Sequence, residues 1–510
     1  MHWLKLPSPT NALAPAFNDL AGAKNWLAAQ PQAQPLHMLH VLLQQIRGLD
    51  ASNFSAEAVL TMLDLLRKAA IPPLTALESR YTRKPLPLSD SDQQAFDASY
   101  KIWESLGIAY LRLGQRTQGE TQAHSLQRAA NALRYAAFCH YLAACEYPEH
   151  FDHLLFGILA LAQRNKVLTR PLLDPDFSHF GEATIAGHIA WTFLLRMIDP
   201  YRLSAAQLAV ANRAISRWRE LAQFAEMPSD DPKAHSVDLT PLFGSGSLPG
   251  EVPRWLEIRK VERKLLQRIK ALQDGETPES LKLGRELSPA ACIRLLRQMD
   301  EALEAQYHPE SSESGELEIA FGADYAYTLF RNEVLNPSQA LGARSSAIAH
   351  QRMAIFGFDR LSQMPSVVKK LEVPSERWSL RKGRAHRPIT ADGERRLSPC
   401  LISTKRGEKA KLGVLHGLRA DSDGQISAEP VWYEERIEAG CLARKITEPK
   451  DGPRTPALLL RDGSALSLIV PANATIRLDV AISLEGLSIS FATPSEVLER
   501  GVDFVRYAVG

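Results

Sequence analysis

The stretch GVLHGLRADSDGQISAEPVWYEE (413–435) decides how the second half of the chain is read. Two apolar runs flank Asp421-Ser422-Asp423-Gly424, four turn-forming residues, and beyond them Ile426 and Ala428 alternate with polar neighbours before Val431 and Tyr433. Alternation next to a turn that ends in glycine predicts a β-hairpin. Similar short runs surround it between about 400 and 491: CLISTK, KLGVLHGL, ALLLR, ALSLIV, TIRLDVAISL and LSISFA. Such a series predicts a small antiparallel barrel or sandwich, with LEIAFG (317–322) as an earlier strand. Between them, Ala340, Leu341, Ile348, Met353, Phe356, Leu361 and Val367 predict a helical insertion at about 338–371.

The first half has the other period. Leu36, Leu39, Leu43 and Ile46, then Val59, Leu60, Leu63 and Leu66, recur at helical spacing, with a break at Asp50-Ala-Ser-Asn and a stop at Pro72-Pro73. Helical patterns follow over 91–118, over 121–165 with a break at Pro148, and over 183–198 and 204–226, where Ser204 is placed to cap. About seven helices in antiparallel pairs predict a bundle or a stack of helical hairpins, without a regular repeat. The Pro-, Gly-, Ser- and Asp-rich segment 227–254 reads as a linker. Two further amphipathic helices are expected over Trp255–Leu272 and Ser288–Ala305. The expected organisation is α+β: a helical domain at 1–226, the linker 227–254, connecting helices at 255–315, and a β-domain at 316–510.

Composition narrows the class. At 510 residues the chain is too long for one hydrophobic core, and 45% apolar residues suffice for two or three. A net charge of +2 gives no global reason to bind a nucleic acid polymer or an anionic lipid surface. Five scattered cysteines argue against a disulfide framework, and no run approaches the roughly 18 apolar residues of a membrane span. A soluble cytoplasmic protein is expected.

Three local constellations carry possible chemistry. CHYLAACEYPEHFDH (139–153) gathers Cys139, His140, Cys145, Glu146, His150, Asp152 and His153, but only His150 and His153 have the short paired spacing that convergence on zinc requires. The bland reading is a buried helix pair followed by a polar turn, so no metal is expected. Ser245 in Gly244-Ser-Gly246 lacks the strand-to-helix context of a nucleophile elbow and reads as linker. No phosphate-binding glycine loop occurs, and no catalytic constellation emerges. RWSLRKGRAHRP (377–388) sets Arg377, Arg381, Lys382, Arg384, His386 and Arg387 close together. Guanidinium forks bind phosphates bidentately and stack on guanine, the chemistry a cyclic dinucleotide needs; a solvated basic loop is the alternative.

Several segments together resemble one family. These are 25–67, IDPYRLSAAQLAVANRAISRWREL (198–221), GEVPRWLEIRK (250–260), LKLGRELSPAACIRLLRQM (281–299), LISTKRGEKAKLGVLHGLRADSDGQISAEPVW (401–432) and VLERGVDFVRY (497–507). They are similar to large proteobacterial proteins with a long helical N-terminal region and a C-terminal PilZ-related β-domain, described as cyclic di-GMP-binding. The resemblance implies a cytoplasmic signalling protein without catalysis. PilZ domains share an RxxxR stretch and a later D/NxSxxG. Arg377-Trp-Ser-Leu-Arg381 matches the first by spacing, whereas no D/NxSxxG follows it and Asp421-Ser-Asp423-Gly424 has the wrong spacing.

Two functions remain open on these residues. The first is a cyclic di-GMP-responsive adaptor: Arg381 and Arg384 contact phosphate, Arg377 and Arg387 flank them, and the helical region meets a protein partner in motility, surface attachment or biofilm control. The second is an interaction scaffold whose PilZ-like domain has lost the nucleotide. A metal-dependent enzyme built on Cys139–His153 is a weaker third.

Overall fold

The computed structural model describes residues 2–7, 13–231, 233–244, 247–305, 314–336, 373–389, 394–406, 409–443 and 453–510. Two compact units divide the chain. The first comprises Met1–Pro309 with Glu394–Arg396 and Arg419–Gly424; the second comprises Glu310–Gly393, Leu397–Leu418 and Gln425–Gly510. The expected insertion at 338–371 and Ser245 lie outside the described residues.

The first unit is helical: α1 (Leu20–Ala28), α2 (Pro35–Asp50), α3 (Ala56–Tyr81), α4 (Asp90–Arg116), α5 (Gly119–Ala143), α6 (His150–Arg164), α7 (Ile185–Met197), α8 (Ala205–Trp218), α9 (Arg259–Gln273) and α10 (Pro289–Ala305). Side-chain caps start several of them. Ser55, Ser89 and Thr184 each accept a backbone N–H of the first turn, and Ser204 with Gln207 forms a reciprocal capping box on α8. The longest contact is the antiparallel pair α4 and α5, and glycine makes it close. A Cβ on Gly107 would lie 2.7 Å from Leu133, and one on Gly114 2.6 Å from Leu126.

Helix α5 is buried along most of its length, so its polar groups need internal partners. Gln127 Nε2 donates to the carbonyls of Leu172 (2.8 Å) and Ala183 (3.1 Å), which belong to the two-residue strands β1 (Leu172–Leu173) and β2 (Glu182–Ala183). Between these strands, the 3-10 turn Pro175–Phe180 is anchored from α3. The fully buried Arg67 donates to both carboxylate oxygens of Asp174 (2.6 and 2.8 Å) and to Asp176 (2.7 Å).

Three expectations change here. Pro72 and Pro73 lie inside α3, which continues to Tyr81. Proline removes a helical hydrogen bond, but Pro73, Leu74, Leu77 and Tyr81 are buried, so packing carries the helix past the break. Trp255–Glu257 is strand β5 rather than the start of a helix, and α9 begins at Arg259. It is the central strand of a three-stranded sheet with β3 (Gln223–Ala225) and β4 (Ser236–Asp238), burying Leu256 between them. The helix expected over 204–226 ends as an α-helix at Trp218: the chain then makes a 3-10 turn, Arg219–Leu221, and enters β3.

The second unit is β-rich. A closed barrel has the order β10-β11-β8-β7-β6-β9, from β6 (Gly315–Phe321), β7 (Glu376–Arg381), β8 (Arg384–Pro388), β9 (Cys400–Arg406), β10 (Lys409–Ala420) and β11 (Gln425–Trp432). The hairpin expected at 413–435 is β10 and β11, and Gly424 N donates to Asp421 O (3.3 Å) across its turn. The β-rich part extends beyond one small barrel. Strands β12 (Arg436–Leu442), β13 (Pro456–Asp462), β14 (Ala465–Pro471), β15 (Ile482–Glu485), β16 (Phe491–Ala492), β17 (Pro494–Arg500) and β18 (Phe504–Val509) form a seven-stranded sheet, order β16-β15-β12-β13-β14-β18-β17. Helix α11 (Ala323–Arg331) joins the two: Ala326 and Tyr327 pack with Leu412 and Val414 of the barrel and with Leu458, Ile469 and Phe504 of the sheet. The whole is α+β. Among the described residues, no helix is long and apolar enough to cross a membrane.

Candidate functional site

The basic segment 377–388 folds as the β7–β8 hairpin. Lys382 and Gly383 form its two-residue turn with positive φ at both positions (49° and 77°), the geometry that matches strand twist. Arg381 pairs with Arg384, Leu380 with Ala385 and Ser379 with His386. Because side chains alternate along a strand, this register splits the arginines. Arg377, Arg381 and Arg384 share one face. Arg377 is exposed and only 3.9 Å from Glu318, and Arg381 is exposed at the turn. Arg384 is more enclosed; its Nη2 donates to Gly417 O (3.1 Å).

Arg387 belongs to the opposite face, with the buried Trp378, Ala385 and Ile426. Its Nη1 donates to Glu376 Oε2 at 2.6 Å, and its guanidinium lies 5.3 Å from the Trp378 ring centroid. This charge is neutralised within the barrel wall. The turn at 421–424 is likewise engaged in its own geometry, with Asp421 accepting from Arg419 Nε at 2.9 Å.

The residues of 139–153 are dispersed. Cys139 Sγ is 3.6 Å from Tyr81 OH, and burial pushes its thiol up to about 12. His140 sits among the rings of Phe96, Tyr100 and Phe151, and burial drives its imidazole down to about 3. Asp152 accepts from Tyr147 OH (3.0 Å) and pairs with Arg196. His150 is bonded to Glu104 (2.6 Å), and His153 packs on Phe243. Among the described residues, no group of three or more His, Cys, Asp or Glu side chains could hold a metal ion.

The helical unit holds a cleft that the sequence did not announce. It encloses about 690 Å³, with Glu78 of α3, Phe138 of α5, Trp191 of α7 and the Asn212–Arg217 side of α8 on its walls, and Phe180 from the 3-10 turn. Trp191 is held in place on two sides. Its Nε1 donates to Asn212 Oδ1 (2.9 Å), and the buried Arg134 guanidinium stacks 3.7 Å from its ring centroid and 3.8 Å from that of Tyr135. Most charges at the cleft are matched. Arg213 forks onto Glu286, and Arg219 reaches Glu220 (3.2 Å) and the carbonyls of Phe180 (3.1 Å) and Glu182 (3.2 Å).

Three are not: among the described residues, the carboxylates of Glu78 and the exposed Glu182 and the exposed Arg217 guanidinium have no polar partner. The surrounding wall removes water from Glu78 and raises its carboxyl above the ordinary range, although its tip stays open to solvent. The cleft's residues come from several helices and from the 3-10 turn, so no linear motif marks it.

Residues 21–229 match the family model of the N-terminal domain of the cyclic-di-GMP receptor FimW. The match spans α1 through α8, includes every residue lining the cleft, and ends before the barrel. No curated protein and no solved structure matches the chain.

Proposed function

We propose that this protein is a non-enzymatic, cytoplasmic, cyclic di-GMP-responsive signalling protein. The observation that carries the reading is the similarity of residues 21–229 to the N-terminal domain of a cyclic-di-GMP receptor. The closed six-stranded barrel supports a PilZ-like role for the second unit. On this reading, Arg381 and Arg384 contact phosphate and Arg377 extends the same face. Arg377 and Arg381 are four residues apart on a strand, about 13 Å, so they would meet different parts of the ligand. Arg387, spent on Glu376, supports the hairpin rather than the ligand. The helical unit presents the surface for a protein partner in motility, surface attachment or biofilm control.

Calorimetric titration with cyclic di-GMP tests this, using wild type and the double variant Arg381→Ala, Arg384→Ala. Loss of two charge-assisted contacts should weaken binding by on the order of a hundredfold or more. Undiminished affinity in the double variant would remove the hairpin from the site. Two observations favour a scaffold without nucleotide: Arg387 is neutralised, and no D/NxSxxG follows Arg377-Trp-Ser-Leu-Arg381. Absence of any binding would put that reading first.

A further inference from the structure

We infer that the cleft of the helical unit is a guanine-nucleotide site, in which Glu78 reads the base edge, Phe138 and Phe180 flank the base, and Arg217 meets a phosphate. The inference takes its ligand class from the cyclic di-GMP reading but places a site in a different unit from the hairpin arginines. Its basis is what the cleft leaves unsatisfied. Its other arginines, Arg213 and Arg219, are satisfied by Glu286, by Glu220 and by backbone carbonyls. What remains is the Arg217 guanidinium with two carboxylates, Glu78, its carboxyl raised by burial, and the exposed Glu182, in a space of about 690 Å³ with aromatic walls.

A site with free carboxylates and a free guanidinium suits a ligand that offers hydrogen-bond donors at one end and an anion at the other. Guanine nucleotides do this: N1–H and the N2 amino group present adjacent donors that a carboxylate accepts together, while the phosphate takes the guanidinium fork. Adenine presents an unprotonated N1 at the same edge, so a carboxylate repels it. Bases read in pockets are held by such edge contacts and by stacking on aromatic side chains. The site is also built rigidly. Trp191 is locked between Arg134 and Asn212, and the turn that carries Phe180 is tied to α3 through Arg67. Arg134 has no carboxylate partner among the described residues, so it places a positive charge behind the aromatic wall.

The test is calorimetry on the full chain with cyclic di-GMP, cyclic di-AMP and 5′-GMP as probes. Glu78→Gln and Arg217→Ala are compared with wild type and with the Arg381→Ala, Arg384→Ala variant. Both cleft positions reach solvent, so folding should survive; matching circular dichroism melts check this. We expect wild type to bind the guanine probes and discriminate against cyclic di-AMP. Glu78→Gln should weaken the guanine probes at least tenfold and narrow that discrimination, and Arg217→Ala should weaken them without changing it. Cyclic di-GMP binding that both cleft variants retain, and only the hairpin variant loses, would overturn the inference while leaving the proposed function standing. Binding of 5′-GMP that Glu78→Gln abolishes, with none for cyclic di-GMP, would support the cleft and sink the cyclic di-GMP reading. No heat with any guanine probe would overturn both.

Discussion

Replacing Arg67 by methionine tests how the helical unit holds the turn that forms one wall of the cleft. Arg67 is 1% exposed and ties α3 to Asp174 and Asp176, flanking the start of the Pro175–Phe180 turn, with bonds of 2.6–2.8 Å. Methionine keeps the volume and removes the charge, stranding Asp176 and leaving Asp174 only Arg128, 3.4 Å away. Breaking a buried ion pair from one side costs about 3–5 kcal/mol. For a unit of this size that lowers the melting temperature by roughly 4–8 °C. Burial pushes the Asp174 carboxyl up, but the hydrogen bonds and charge of Arg67, with help from Arg128, outweigh it and hold it below the ordinary range. Its folded pKa is depressed, so its stabilisation is present above the unfolded value of about 3.9 and is lost as pH falls through the folded one. The gap between wild type and Arg67→Met, measured by thermal and urea denaturation, should therefore be large at pH 7 and shrink at acid pH. Adding Asp174→Asn and Asp176→Asn to Arg67→Met should recover part of the loss, because no carboxylate is then stranded. A melting temperature within a degree or two of wild type at pH 7 would refute the anchoring role.

Other outcomes follow from the same structure. Gly107→Val forces two methyl groups against Leu133 in the α4–α5 contact and should cost about 1–3 kcal/mol in denaturant unfolding; an unchanged midpoint would mean that the helices separate freely. Arg387→Ala strands Glu376 in the barrel wall and should lower stability by about 1–3 kcal/mol, with cyclic di-GMP affinity unaltered; a binding defect without a stability loss would reverse that assignment. His140 is neutral in the fold, its pKa lowered by burial to about 3, so unfolding takes up a proton below the ordinary histidine value. Stability should fall as pH drops from 6.5 toward 3, and His140→Phe should flatten that limb of the profile. All five cysteines are buried and free, and burial lifts Cys139 and Cys145 to about 12 and Cys292 to about 11. A thiol reagent at neutral pH should label the native protein far more slowly than the denatured one, and equal rates would contradict the burial.

Local chemistry made part of this fold readable. The Asp421–Gly424 turn between alternating runs announced the β10–β11 hairpin, and Ser204 announced the start of α8 through a capping box whose second member is Gln207. Both signals act within a few residues. Where tertiary packing overrides local preference, reading failed: α3 runs through Pro72-Pro73 because its buried face continues to Tyr81, and Leu256 joins a sheet whose partners lie at 223–225 and 236–238. The barrel's strand order was hidden for the same reason. Strand β11 pairs with β8 and β9 with β6, neither of them its neighbour in sequence. In the arginine segment, the sequence reading set Arg381 and Arg384 on phosphate with Arg377 and Arg387 flanking, and strand alternation separates Arg387 from the others. The cleft had no linear motif, because Glu78, Phe138, Trp191 and Arg217 come from four helices.

The central claim is that this chain responds to a cyclic guanine dinucleotide, and the most direct measurement is equilibrium binding of cyclic di-GMP to the full-length protein with cyclic di-AMP as the control. The account predicts saturable binding at micromolar concentration or tighter, about −8 kcal/mol or stronger, with clear preference for guanine. No saturable binding, or equal affinity for both dinucleotides, would contradict it.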